Sequence, residues 1–289
     1  MTAEGHEVIC QPRGKKSTLV VGDRVRWQMT DSRGDSGVIE VMEPRRNLLY
    51  RQDEWKTKSF AANLDRLLIL VAAEPVFSES QLARALIAAE EARIEVLILL
   101  NKTDLEPAAS LARERLAPYK AMGYEVLEGA LKPNDDLKGE RADALALLRP
   151  RLAQGATLVL GPSGTGKSTL VNLLVPNAAA ITGEISTALN SGKHTTTHTR
   201  WYWLDAERQG ALIDSPGFQE FGIQHIERTD LARWMPDLAK HLGDCRFANC
   251  SHDHEPGCRV RAALERGEIA ASRYRIYLEL GAELENRRY

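Results

Sequence analysis

Residues 161–168 have the composition and spacing of a phosphate-binding loop. They follow the pattern G-x-x-x-x-G-K-S, with an apolar run at 157–160 before them and a predicted helix at 169–174 after them. In such a loop glycines allow backbone N–H groups to approach phosphates, and the start of the helix adds partial positive charge. We therefore expect nucleotide phosphates to bind at Gly161, Pro162, Ser163, Gly164, Thr165, Gly166, Lys167, Ser168 and Thr169.

Two side chains of this loop are expected to take part in chemistry. Lys167 is predicted to reach the β- and γ-phosphates, where a positive charge stabilises phosphoryl transfer, so we assign it a catalytic as well as a binding role. The hydroxyl of Ser168 is predicted to be a ligand of Mg²⁺. The pattern thus predicts hydrolysis of a nucleoside triphosphate with a magnesium cofactor.

The motif Asn101-Lys102-Thr103-Asp104 directly follows an apolar run at 96–100. It is therefore expected at the carboxyl end of a strand, where open α/β sheets bind ligands. The Asp104 carboxylate can accept hydrogen bonds from N1–H and the exocyclic amino group of guanine, and adenine lacks this pair of donors. Asn101 is predicted to tie the motif to the phosphate loop, and the Lys102 stem to cover the base. These four residues predict GTP and GDP as ligands rather than ATP.

Two further stretches fit the elements that sense a γ-phosphate. Residues 214–217 read D-S-P-G after a strand candidate, so Asp214 is expected to act on Mg²⁺ through water and the Gly217 N–H to meet the γ-phosphate. GTPases also need one threonine that closes on Mg²⁺ and the γ-phosphate. We choose Thr196 as this magnesium ligand and catalytic residue, while its neighbours Thr195 and Thr197 remain alternatives.

The residue that positions the attacking water is less obvious. Phe218 follows Gly217, at a position where many GTPases have a glutamine that orients water. A phenylalanine cannot do this, so unaided turnover is expected to be slow unless another side chain helps. His225 is a candidate, and a surface histidine without a role is the alternative.

The order of these motifs along the chain is unusual. The guanine motif at 101–104 precedes the phosphate loop by about sixty residues, whereas an ordinary GTPase has the phosphate loop first. Both motifs serve one pocket, so their order predicts a circularly permuted nucleotide domain. It also predicts that the chain after 214–217 runs through 218–225 straight into the C-terminal region, which would couple the two.

That C-terminal region carries Cys245, Cys250, His252 and Cys258 in the spacing C-x4-C-x-H-x5-C. Zinc binds four such ligands tetrahedrally, and a complete protein set without an open position indicates a structural Zn²⁺ site. His254 is an alternative fourth ligand. Clustered cysteines in a reducing cytosol favour metal binding over disulfides.

Composition and pattern indicate how these sites are arranged. Of the 289 residues 43% are hydrophobic and 27% are charged, and the net charge is −2. No apolar stretch approaches eighteen residues, so we expect a cytoplasmic protein without a membrane partner. Short β-type runs predict a small β-barrel or sandwich at 1–62. Alternating strands and helices predict a mostly parallel α/β domain at 63–223, and Cys/His-bearing helices predict a zinc domain at 224–289.

The basic residues of the first region have two readings. They could form a nucleic-acid-binding face, or, since acidic residues lie among them, a plain solvated surface. The residues concerned are Arg13, Lys15, Lys16, Arg24, Arg26, Arg45, Arg46 and Arg51, with Trp27 and Tyr50.

Taken together, the order of these motifs resembles the ribosome small-subunit-dependent GTPase A family over nearly the whole chain. Further matching stretches are 12–15, 21–25, 61–65 and 252–258. The resemblance implies a multidomain α/β protein: an N-terminal OB-fold, a central permuted P-loop GTPase domain and a C-terminal helical zinc-binding domain. Only eleven residues precede Pro12, which leaves the completeness of the barrel open. The Ser-Ala pair that usually backs the guanine is not evident: Glu128-Gly129-Ala130 lies at the corresponding place, and which residues back the base is left open.

The resemblance also implies a function. Such proteins bind the small ribosomal subunit and its rRNA, act late in its maturation, and hydrolyse GTP with stimulation by the subunit. A histidine shortly after D-S-P-G has been proposed as their catalytic residue, and His225 matches it. We expect a monomeric GTPase of this kind. The alternatives are an ATP-dependent P-loop enzyme and a zinc-containing RNA-binding module whose nucleotide site is only regulatory.

Overall fold

The computed structural model describes residues 7–13, 18–30, 36–52, 57–132, 138–175, 178, 199–215 and 221–286. The first part of the chain forms two small sheets. One has three strands in the order β1-β3-β2, the other pairs β4 with β5, and a parallel bridge between Val21 and Ala61 links them. The strands are β1 (Ile9–Pro12), β2 (Val25–Met29), β3 (Ser36–Met42), β4 (Leu48–Gln52) and β5 (Thr57–Ala62).

A six-stranded sheet follows, in the order β10-β11-β9-β6-β7-β8. All of its neighbouring pairs are parallel except β10 with β11. Its central strands are buried on both faces, which explains their continuous apolar runs. The strands are β6 (Arg66–Ala72), β7 (Glu95–Asn101), β8 (Glu125–Gly129), β9 (Gly155–Leu160), β10 (Arg200–Trp203) and β11 (Gly210–Asp214).

In the described part of this domain, four helices connect or flank the strands, as the alternating pattern predicts. The first begins where the Ser78 hydroxyl accepts a hydrogen bond from the backbone N–H of Gln81, a cap that satisfies an otherwise free donor. The helices are α1 (Glu79–Glu91), α2 (Ala108–Ala121), α3 (Lys138–Leu152) and α4 (Lys167–Leu174). In the described parts of the chain no helix has both the length and the apolar character that crossing a bilayer requires.

The C-terminal region is less helical than its sequence suggests. Residues 240–258 contain no helix or strand. Around them lie a 3₁₀ turn at Leu231–Trp234 and the helices α5 (Pro236–Ala239), α6 (Arg259–Glu265) and α7 (Ala271–Glu285).

A buried ion pair fixes α7. The Arg273 guanidinium, whose side chain is 1% exposed, donates to both carboxylate oxygens of Asp237 at 2.9 and 3.2 Å. It also lies 5.1 Å from the ring centroid of Tyr119 in α2. Because the partners come from α7, α5 and α2, they join the C-terminal region to the α/β domain. Glu283 of α7 strengthens this contact by accepting from Arg84 of α1.

Two of the basic residues in the N-terminal region serve the fold. Arg45 donates to both carboxylate oxygens of Asp23 at 2.7 and 2.8 Å. Burial acts to raise the pKa of Asp23, but the hydrogen bonds from Arg45 and from the Val20 N–H, with the charge of Arg45, outweigh it and lower that pKa. Arg46 donates to the carbonyl of Leu64 and to Asp65, just before β6. Both arginines therefore have structural partners.

We expect Asp237→Ala to destabilise the C-terminal region strongly. Removing the carboxylate leaves the Arg273 charge buried, which costs about 3–5 kcal/mol of unfolding free energy in comparable cases. The matched control is Glu268→Ala, which removes the carboxylate of an exposed pair with Arg266 and should change stability little. Urea unfolding followed by circular dichroism measures both. Equal midpoints for the two variants would contradict this role of the buried pair.

Candidate nucleotide-binding site and metal centre

The phosphate loop lies between the end of β9 and the start of α4, at the carboxyl edge of the sheet. Its backbone is left-handed at Gly164 and Gly166, where φ is +83° and +100°. A Cβ atom on Gly166 would lie 2.4 Å from the side-chain nitrogen of Asn101. Glycine at this position is therefore required both by the backbone conformation and by the close approach of Asn101.

Asn101, at the end of β7, joins three loops. Its side-chain amide donates to the Thr165 carbonyl at 2.7 Å, and its Oδ1 accepts from the Leu131 N–H at 2.9 Å. Asn101 is 3% exposed, so both bonds are shielded from water. The guanine motif, the phosphate loop and the loop after β8 are thereby held as one unit.

The backbone conformation of the guanine motif is visible at two of its residues. Lys102 has a left-handed φ of +62°, and the Thr103 N–H approaches the Gly129 carbonyl at 3.5 Å. Asp104 lies beside them, half-buried. Glu128, near the end of β8, accepts from Arg113 and Lys120 at 2.8 Å each, and these bonds join the end of β8 to α2. Leu131 was not predicted as part of the site, because it takes part through its backbone N–H and its side-chain type therefore gives no signal.

Lys167 and Asp214 form a buried pair between the phosphate loop and the start of D-S-P-G. The Lys167 ammonium donates to Asp214 Oδ1 at 2.5 Å and to the Ser215 carbonyl at 2.7 Å. The two side chains are 9% and 7% exposed. Ser215 is itself fixed because its hydroxyl donates to the Val159 carbonyl of β9 at 3.0 Å. The structure thus brings together the predicted phosphate lysine and the predicted magnesium carboxylate.

The remaining predicted nucleotide residues are placed as follows. Ser168 is exposed in the first turn of α4, and Thr169 next to it is half-buried. Thr196, with its alternatives Thr195 and Thr197, lies outside the described residues, as do Gly217 and Phe218.

His225 lies apart from this cluster. Its ring packs against Tyr50 of β4, with centroids 4.3 Å apart. Tyr50 lines a cleft of about 720 Å³ together with Asp65 and Arg93, which precede β6 and β7. These positions are at the amino edge of the sheet, whereas the phosphate loop is at the carboxyl edge, a strand length of about 20 Å away. The structure therefore does not bring His225 to the phosphate loop.

The four C-terminal ligand candidates converge. Their ligand atoms, from Cys245, Cys250, His252 and Cys258, all lie within 4.8 Å of one another. His252 Nδ1 is 3.6 Å from Cys245 Sγ and 3.5 Å from Cys258 Sγ. Tetrahedral zinc with ordinary bond lengths separates nitrogen and sulfur ligands by about 3.6 Å. The set therefore fits a metal ion of that size, and His254 stays outside it with its side chain 82% exposed.

The surroundings of the cluster decide whether its sulfurs are thiols or thiolates. Burial, with the neighbouring Cys258 and Cys245 thiols, raises the pKa of the Cys250 thiol to about 12. Thiolates are the metal-binding form, so a cation must supply the charge that lets adjacent sulfurs ionise. Backbone N–H groups of Arg259 and Arg261 support this by donating to Cys245 and Cys258 sulfurs at 3.4 and 3.5 Å.

Comparison with known proteins is decisive for the family. A family model described as RsgA GTPase matches residues 42–224, which include the guanine motif, the phosphate loop and D-S-P-G. The chain belongs to the RsgA GTPase family. It is accordingly a GTP-hydrolysing enzyme with a circularly permuted nucleotide domain, as the motif order predicts.

Curated relatives match along most of their length. A Variovorax paradoxus protein named small ribosomal subunit biogenesis GTPase RsgA is 60% identical, covering 100% of this chain and 89% of its own. A protein of the same name from Burkholderia pseudomallei is 55% identical over 96% of this chain and 86% of its own.

Two solved structures share the fold. YjeQ from Thermotoga maritima superposes with a TM-score of 0.73 at 30% identity, over 99% of this chain and 93% of its own. YloQ, described as a circularly permuted GTPase, gives a TM-score of 0.71 at 26% identity, over 99% and 89%. The likeness to these two structures therefore extends over nearly the whole chain.

We expect Asp104→Asn to change the base preference. An asparagine can accept from N1–H but cannot accept from the guanine amino group, and its own NH₂ can donate to the C2 carbonyl of xanthine. GTP binding should weaken about tenfold to a hundredfold, as expected for a lost charged hydrogen bond, while XTP binding strengthens. Fluorescent-nucleotide titration measures this, with Glu106→Gln as the neighbouring control. Unchanged GTP affinity in Asp104→Asn would contradict the assignment.

Proposed function

We propose that this GTPase binds the small ribosomal subunit, assists its late maturation, and hydrolyses GTP to GDP and phosphate faster when bound to it. The observation that carries the proposal is the Asn101 amide, which builds a guanine motif and a phosphate loop into one buried unit. The relatives that match nearly the whole chain are named for small ribosomal subunit biogenesis. A site for guanine nucleotide and a maturation role therefore belong to one protein.

GTP would be held by residues already in place. The phosphates lie over the glycine backbone of the phosphate loop, and Lys167 turns from Asp214 towards the β- and γ-phosphates. This exchange would separate the Asp214 carboxylate from the Lys167 ammonium. With Ser168 and Thr196, that carboxylate then supplies the oxygen groups suited to Mg²⁺, which neutralises phosphate charge when bound.

The cysteine cluster would hold one structural Zn²⁺ through Cys245, Cys250, His252 and Cys258. Its role is to order residues 240–258, which have no helix or strand of their own. Contacts with rRNA would come from this zinc domain and from exposed basic residues of the β domain such as Arg24. In this proposal the protein acts as a monomer in the cytoplasm.

The water-positioning residue would be His225. The ring lies on Tyr50 at the amino edge of the sheet, so it must move to reach the phosphate loop. If binding to the subunit favours that movement, GTP turnover is slow in the isolated protein and faster in the protein bound to the subunit.

We expect purified small subunits to raise GTP turnover by at least tenfold, and His225→Ala to remove most of this increase while leaving GTP affinity unchanged. His225→Gln should keep part of it, since an amide can orient water. Phosphate release with and without subunits measures each variant. Unchanged stimulation in His225→Ala would refute the role of His225, and no stimulation of the unaltered protein would remove the ribosome from the proposal.

The alternative of a merely regulatory nucleotide site is tested separately. Lys167→Ala should abolish turnover and fail to support maturation of small subunits in cells. Normal maturation with this variant would favour an RNA-binding module over a GTPase-driven factor.

For the zinc site, we expect Cys250→Ser to lose most bound zinc when dialysed against a chelator, because one of four ligands is weakened. Cys10→Ser, which changes a cysteine of β1 far from the cluster in sequence, should keep it. Elemental analysis by mass spectrometry gives the zinc content.

Cys250→Ser should also weaken the stimulation of GTP turnover by the subunit more than it weakens GTP binding. Equal losses would count against coupling between the zinc domain and the GTPase site.

A further inference from the structure

The chain after D-S-P-G does not pass directly into the zinc domain. It first pairs with β4 of the N-terminal β domain, where the Gln52 N–H donates to the Gly222 carbonyl and the Gln224 N–H donates to the Gln52 carbonyl, both at 3.0 Å. These bonds form a parallel bridge between Gln52 and Ile223. We call residues 221–226 the docked segment.

Side chains reinforce this pairing. Phe221 stacks on Phe60 of β5 with centroids 5.6 Å apart and planes 8° from parallel. Phe221 and Ile223 are 1% and 0% exposed, so the docked segment is anchored in the core. His225 extends the same contact, because its ring lies on Tyr50. Both aromatic pairs join the segment to neighbouring strands of one hairpin.

The chain that leads to the docked segment begins at Ser215, which is fixed at the phosphate loop. The Ser215 carbonyl accepts from Lys167, and the Ser215 hydroxyl donates to β9. Only a few residues separate this anchor from Phe221. The nucleotide site and the β domain therefore hold the two ends of one short piece of chain.

We propose that Tyr50 is a positioning residue that holds His225 away from the phosphate loop, so that the β domain restrains GTP hydrolysis. The inference rests on the proposed catalytic role of His225. The Tyr50 ring stabilises the docked position. Any event that separates the ring from His225 therefore increases the fraction of molecules in which His225 has left that position. Restraint of this kind makes basal turnover a property of the β domain as well as of the GTPase domain.

The test is GTP turnover of Tyr50→Ala in the full-length protein without ribosomal subunits. An aromatic contact contributes enough to make release about three- to tenfold more frequent when it is lost, so basal turnover should rise by that factor. Tyr50→Phe, which keeps the ring, should retain slow turnover. The double variant Tyr50→Ala with His225→Ala should lose the increase. Tyr50→Leu replaces the alanine variant if thermal melting shows that the latter is unfolded.

A second measurement does not depend on catalysis. Hydrogen exchange of peptides covering 48–52 and 221–226 should be faster in Tyr50→Ala than in Tyr50→Phe, since the pairing amides of Gln52 and Gln224 open more often. Faster exchange with raised, His225-dependent turnover supports the proposal. Unchanged exchange overturns it.

The two hypotheses fail in different ways. If His225→Ala abolishes subunit stimulation but Tyr50→Ala leaves basal turnover unchanged, restraint by Tyr50 is wrong while the role of His225 stands. If subunit stimulation survives His225→Ala, the catalytic role is wrong, and the restraint argued from it is overturned as well.

Discussion

The whole nucleotide site depends on one buried side-chain amide. Asn101 donates to the phosphate loop and accepts from the loop after β8, while its own backbone ends the strand that carries the guanine motif. A buried amide with unmet bonds would cost free energy, so each of the three loops is required by the others. Circular permutation is tolerated for this reason: the loops need to meet at one edge of the sheet, and the order in which the chain supplies them is immaterial to the contact.

The two flanking regions are attached to the α/β domain by different kinds of interaction. The C-terminal region is fixed by a buried charge pair and a cation–π contact, through Arg273, Asp237 and Tyr119. The N-terminal region is joined through the ion pair of Arg46 with Asp65 and through the pairing of Gln52 with residues 222–224. A buried charge pair carries a large penalty when it opens. The N-terminal attachment combines two backbone hydrogen bonds with the burial of Phe221 and Ile223.

Much of this architecture could be predicted from sequence. The apolar runs at 67–71 and 96–100 and the Gly-rich loop fixed the parallel sheet and the edge at which ligands bind, because buried strands and phosphate loops have strong local patterns. Strands β4 and β5 carry little signal in the sequence: a bulge between Leu49 and Tyr50 breaks their alternation, and β5 begins with the polar residues Thr57 and Lys58. The expected direct path from D-S-P-G to the zinc domain was wrong, since a backbone pairing with Gln52 has no signature in side-chain types. The position of His225 depends on that pairing and could not be predicted for the same reason.

The order of the sheet also governs how the molecule can assemble during synthesis. Strands β6, β7 and β8 are consecutive in the chain and neighbours in the sheet, so they and their connecting helices can pair as soon as they are made. The phosphate loop joins later, when β9 adds to the free side of β6, and Asp214 arrives only with β11. Because synthesis runs from the N-terminus to the C-terminus, the guanine-recognition half is made before the phosphate-binding half. In an unpermuted GTPase the two halves are made in the opposite order. A nascent chain of this protein has a base-binding loop long before it has anywhere to hold a phosphate.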